Sequence, residues 1–215
     1  MNLASPFSSI LEPYGDELPS VFREQFLFPA DANYQLALTG TMQHVWYRPR
    51  WLKPLFWLMS KFDLLVAENG ENVPTTLIIT ANHDRDGLPR QMWNRTFQFD
   101  RPRYFNSSVV YDVRTQRPTE YVGPGRMLGM IWDIRFHAPA TLDMQTYAWV
   151  LYLGRWRIQL PRWLGRWLFG WDDTIQSADD SRIDVIHIDL TISHPLFGKV
   201  FGYGGTFQVQ RQFAS

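Results

Sequence analysis

"MLGMIWDIRFHAPATLDMQTYAWVLYL", residues 127–153, alternates apolar and polar side chains, pauses at a proline, and then resumes with a more apolar run. Successive side chains of a strand point to opposite faces. Leu128, Met130, Trp132, Ile134 and Phe136 therefore share one face, and Asp133 and Arg135 share the other. In the second run Tyr147, Trp149, Leu151 and Leu153 fall on one side, while Met144, Ala148, Val150 and Tyr152 make the other almost as apolar, as in a strand covered on both faces. Runs of the same period recur as "TTLIITANHD" (75–84), "RQMWNRTFQF" (90–99), "RYFNSSVVYDVR" (103–114), "RIDVIHIDLTIS" (182–193) and "GTFQVQRQF" (205–213). Turn signals such as "DRDGLP", "TQRPTEYVGPG" and "HAPAT" separate them. The series predicts a mainly β (α+β) fold: one highly curved antiparallel sheet or partial barrel over residues 75–212. Helical patterns at 6–28, 54–62 and 160–168 place a few helices over its mouth or concave face. With no repeat or linker, residues 1–215 read as a single domain.

Residues 191–209, "TISHPLFGKVFGYGGTFQV", interrupt the pattern. Ile186, Ile188, Leu190 and Ile192 face one way and His187, Asp189, Thr191 and Ser193 the other, until Pro195 removes a ladder donor. Gly198, Gly202, Gly204 and Gly205 then predict a bend or a close backbone approach, as at a barrel corner or bulge. The alternative is that this corner sets His194 and Tyr203 beside a pocket.

Lys plus Arg equal Asp plus Glu at 21 each, so no net field draws the chain to nucleic acid or an anionic membrane, although local patches stay open. Zero cysteines exclude disulfides, thiolate catalysis and Cys-based metal centres, and with a start that lacks a basic and apolar leader they suggest the cytoplasm. Aromatics are the unusual class: 10 Trp and 15 Phe either fill a deep core or line a cavity.

The five histidines show no zinc-protease spacing, and "GPGRMLG" (123–129) opens a strand rather than a helix, so neither a metal nor a nucleotide cofactor is expected. His187 and Asp189 share a strand face, the pattern of either a proton relay or a solvated wall. Arg95 lies on the face of Trp93, Phe97 and Phe99 and needs a partner there. Glu120 is the preferred carboxylate, with Asp112 and Asp133 also available. Arg95 is then either half of a buried ion pair or the anchor for an anionic head group in an apolar cavity, where Ser107, Tyr121 and Tyr203 would add donors. Trp93, Phe97, Trp132, Trp149 and Phe207 would line that cavity, at about 300–1,000 Å³. Finally, "WYRPRWLKPLFW" (46–57) and "PRWLGRWLFGW" (161–171) interleave rings with cations, as in ordinary helix packing or in surfaces that touch lipid head groups.

In combination and order, "LEPYGDELPSVFR" (11–23), "MWNRTFQF" (92–99), "FNSS" (105–108), "EYVGP" (120–124), "LPRWL" (160–164) and "HPLFGKVFGYGGTF" (194–207) resemble an uncharacterised bacterial domain family, the domain of unknown function DUF4166. The resemblance spans nearly the whole chain and implies no established reaction. Because some relatives are fused to an NAD(P)-binding dehydrogenase-like domain, it implies an oxidoreductase partner. Three functions compete: a module binding an apolar or amphipathic small molecule, lipid included; an enzyme or accessory domain working with a redox partner; and a peripheral membrane or protein-interaction module. A closed cavity favours the first, a cleft with a perturbed carboxylate the second, and a continuous exposed aromatic patch the third.

Overall fold

The computed structural model describes residues 4–48, 50–62, 64–153, 156–168, 170–177 and 185–213. Eleven strands form one antiparallel sheet: β1 (Tyr34–Tyr47), β2 (Gly70–His83), β3 (Pro89–Gln98), β4 (Pro102–Asp112), β5 (Arg117–Val122), β6 (Leu128–His137), β7 (Thr141–Leu153), β8 (Trp156–Gln159), β9 (Gly170–Ser177), β10 (Val185–His194) and β11 (Gly198–Phe213). The order is β6-β5-β4-β3-β2-β1-β11-β10-β9-β7-β8, and β7 also pairs β6. The ladder thus curls back on itself along half a seam. Residues 141–145 of β7 pair with 172–176 of β9, but residues 150–153 take β8 on that edge instead. The sheet is a partial barrel, joined at one end and split at the other, as the period-2 runs predict.

The sheet is longer than expected at its start. β1 continues through His44 to Tyr47, and β5 occupies a stretch read as a turn. In β1 the ladder shifts register between Met42 and His44, so the buried set passes from even positions (Leu36, Leu38, Met42) to odd ones (Val45, Tyr47). A bulge of that kind erases alternation over the strand as a whole. A second shift, at Ile131/Trp132, leaves Tyr147 of β7 without a register partner. Met144 and Trp149 therefore share the inner face, although simple alternation places them on opposite ones. Ala148 and Val150 are buried on the outer face with Ile131, so this strand is covered on both sides.

Pro195 does not bend the sheet; it sits in the turn between β10 and β11. The glycines of β11 serve close approach. Gly202 lies under the Trp46 ring, where a Cβ would fall 2.7 Å from the ring. Gly40 of β1 is tighter still, its Cβ position being 1.9 Å from the Thr206 carbonyl oxygen.

Antiparallel alternation gathers all the strand connections at two ends. At one end the N-terminal segment, whose helical pattern spans 6–28 with a turn or cap at Asp16 to Ser20, is three short pieces: α1 (Ser8–Leu11), a 3-10 stretch (Glu12–Glu17) broken at Gly15 with φ 51°, and α2 (Ser20–Phe26). Phe7, Leu11, Phe22 and Phe26 are fully buried. The Phe7 and Phe26 rings lie 6.2 and 6.4 Å from Trp93 of β3, and Gln91 Nε2 donates to the Gln25 and Phe26 carbonyls at 3.2 Å. The segment fills the concave face. At the other end lie α3 (Lys53–Lys61), a 3-10 turn at Pro124–Arg126, α4 (Arg162–Leu168) and the β10–β11 turn.

Candidate functional site

Ladder register brings the interior cluster together. Trp93 stands opposite Ser107, Arg95 opposite Phe105, and Glu120 opposite Val109. Arg95 NH1 donates to Ser107 Oγ at 2.9 Å and NH2 to Glu120 Oε1 at 3.3 Å. Its guanidinium lies between the rings of Trp93 (5.1 Å) and Phe105 (4.8 Å). Glu120 is the partner, with the Arg95 and Glu120 side chains 9% and 3% exposed. The other two carboxylates are engaged elsewhere, Asp112 with Arg157 and Asp133 with Arg117 and Arg135.

The interior holds little space. Trp93, Arg95, Tyr203 and Phe207 meet Gln25, Met42 and Ile188 around a void of about 20 Å³, large enough for one water and far below the volume of a lipid chain. The cavity expected there is filled by side chains, because the N-terminal helices insert their phenylalanines from the concave side. Phe97 packs on Tyr203 at 6.0 Å, and Trp132 and Trp149 are buried in the same core. Of the residues singled out by sequence, Arg95, Glu120, Ser107 and Trp93 form one cluster. Tyr203 joins Trp93 and Arg95 at the void, whereas Phe97, Trp132 and Trp149 do not line it.

The Trp-Arg segments lie at the opposite end from the N-terminal helices. α3 buries Phe56, the 3-10 turn before it buries Leu52, and α3 exposes Trp57, Leu58 and, just past its end, Phe62. Trp51 meets Phe197 of the β10–β11 turn edge-to-face at 4.9 Å, and Leu196 beside it is 69% exposed. β8 and α4 add Trp156 and Trp163, 66% and 71% exposed. Among the described residues, ten of the twelve large apolar side chains that are exposed belong to this end, Tyr104 and Ile158 completing the set; Val113 and Phe213 are the exceptions.

Charge follows the same division. The described residues at this end (48, 50–62, 64–69, 99–103, 123–127, 156–168 and 195–199) carry 11 Lys and Arg against 2 Asp and Glu. Those at the other end (4–33, 84–88, 113–116 and 138–140) carry 3 against 7. The balanced total conceals an axial dipole. Between α3 and the β3–β4 turn a groove of about 380 Å³ is bordered by Trp57, Lys61, Arg101, Arg103 and Tyr104. Among the described residues no cluster of metal-ligating side chains occurs, and no helix is long and apolar enough to cross a membrane. His187 Nδ1 and Thr206 Oγ1 lie 2.9 Å apart on the exposed outer wall.

A family model, domain of unknown function DUF4166, matches residues 18–207. The chain belongs to that family. It is similar to the uncharacterized protein YndH of Bacillus subtilis (strain 168), 24% identical over 192 residues that cover 86% of this chain and 88% of that protein. No solved structure gives a significant match.

Proposed function

We propose that this member of the DUF4166 family is a peripheral membrane module that lies on an anionic lipid surface through the end carrying α3, α4 and the β10–β11 turn. The observation that supports the reading is the coincidence, at one end, of the exposed Trp and Leu side chains with the excess of Lys and Arg. Tryptophan is favoured at the membrane–water boundary because its ring is apolar and its N–H polar, and cations beside an anionic leaflet gain about 1 kcal/mol each. Exposed aliphatic tips such as Leu58 and Leu196 gain from lipid and gain nothing from a nucleic-acid backbone. The small-molecule reading is weaker, since a lipid could enter the barrel only if the N-terminal helices left it.

Cosedimentation with vesicles tests the proposal. Binding is expected to vesicles of mixed phosphatidylcholine and phosphatidylglycerol, to fall steeply with added salt, and to be lost in Trp57→Ser/Trp163→Ser and in Lys53→Glu/Lys61→Glu. Equal binding by these variants, or binding only to a nucleic-acid competitor, would overturn it.

A further inference from the structure

On the outer wall, the chain leaves β5 through Gly123–Arg126 at the end that also carries α3 and α4. Arg126 adopts φ 62°, in the left-handed region that costs a non-glycine residue about 1–3 kcal/mol. That turn carries its guanidinium back over the outward-facing ring of Tyr121, 5.8 Å from the centroid. Here the turn, the 84–88 loop, the end of β4 and β8 enclose a pocket of about 420 Å³ that includes Asp112, Arg114, Tyr121, Arg126, Tyr152 and Arg157. Its size is that of a small-molecule site.

Two of the three acids that line this pocket, Asp112 and Asp84, are already committed; the third is Asp86. Asp112 Oδ1 accepts the Arg114 backbone N–H at 2.9 Å, and Oδ2 pairs with the largely buried Arg157. Asp84 Oδ1 accepts the backbone N–H groups of Asp86 and Leu88, both at 2.9 Å. Among the described residues Arg114 and Arg126 have no ion-pair partner. The Arg90 guanidinium is held below its ordinary value by burial first and by the like charge of Arg126 second, with Asp84 opposing. At the pocket floor Tyr121 is 6% exposed, and its ring packs edge-on against Tyr152 at 5.7 Å. Burial and the hydrogen bond with Tyr152 hold its phenol well above the ordinary tyrosine value, so it stays neutral with its proton engaged by Tyr152.

We infer that this pocket binds the phosphate group of a small phosphomonoester, with Arg126 and Arg114 as the anion's cationic partners and the Tyr121–Tyr152 pair as the hydroxyl edge. Guanidinium groups match tetrahedral oxyanions through paired N–H donors. Arg126 and Arg157 also belong to the cations of the basic end, and soluble probes read phosphate binding apart from membrane attachment.

Calorimetric titration with inorganic phosphate and with phenyl phosphate tests it. Saturable binding is expected, weakened about tenfold or more in Arg126→Gln and in Arg114→Gln. Arg114 is exposed, so its variant keeps the test readable if Arg126→Gln disturbs the turn. No saturation below about 10 mM phosphate, or unchanged affinity in both variants, overturns the proposal. Vesicles containing phosphatidic acid separate the sources of phosphate: selective loss of binding to them in Arg126→Gln assigns a lipid head group, and unchanged vesicle binding with lost phenyl phosphate binding assigns a soluble ligand.

Discussion

Arg95 lies between two rings and against a carboxylate inside an apolar wall, so neither half of the pair can be removed cheaply. Arg95→Met leaves Glu120 buried without its cation and should cost about 3–5 kcal/mol, whereas Arg95→Met/Glu120→Leu should recover much of that loss, as read by urea denaturation. A stable single variant would contradict the pairing. Tyr121 supplies a pH test: its phenol is raised in the folded state, so the stability it contributes is complete below the ordinary tyrosine value of about 10 and is lost as pH climbs above it. Tyr121→Phe should flatten the alkaline fall in melting temperature. Arg95 and Glu120 were legible from sequence because β3 alternates cleanly and a cation on an aromatic face demands a carboxylate. The absence of a cavity beside them was not, since it depends on phenylalanines more than 60 residues earlier in the chain.

The elements were legible where pairing is regular and illegible where it slips. β6 reads correctly from Leu128 to Phe136, but the register shifts in β1 and at the β6–β7 ladder reverse the parity of everything beyond them. β5 was hidden for another reason, because Pro118 inside "RPTEYV" looks like punctuation although its neighbours complete the ladder to β4 and β6. Two substitutions test the packing of elements. Phe22→Ala in α2 empties a fully buried site and should cost about 3–5 kcal/mol in chemical denaturation. Gly40→Ala drives a methyl into the Thr206 carbonyl oxygen at the β1–β11 ladder and should cost about 3 kcal/mol or more; a neutral result would show that this approach is looser than described.

At the scale of the whole molecule, the property that carries the functional reading is a distribution rather than a residue. Five stretches between residues 48 and 199 meet at one end only because every strand runs antiparallel to its neighbours, so a chain with 21 charges of each sign hides a basic, aromatic end and an acidic one. Two of the stretches announce themselves as Trp-Arg runs. Their convergence with the β3–β4 and β10–β11 turns depends on strand order, which composition does not encode. The most direct test of membrane attachment is tryptophan emission with vesicles containing brominated phosphatidylglycerol. Trp51, Trp57, Trp156 and Trp163 are exposed in the free protein, so attachment predicts a blue shift with unbrominated anionic vesicles and quenching with brominated ones, both reversed by salt. Emission that stays unchanged at low salt, with the protein folded and anionic lipid in excess, would contradict it.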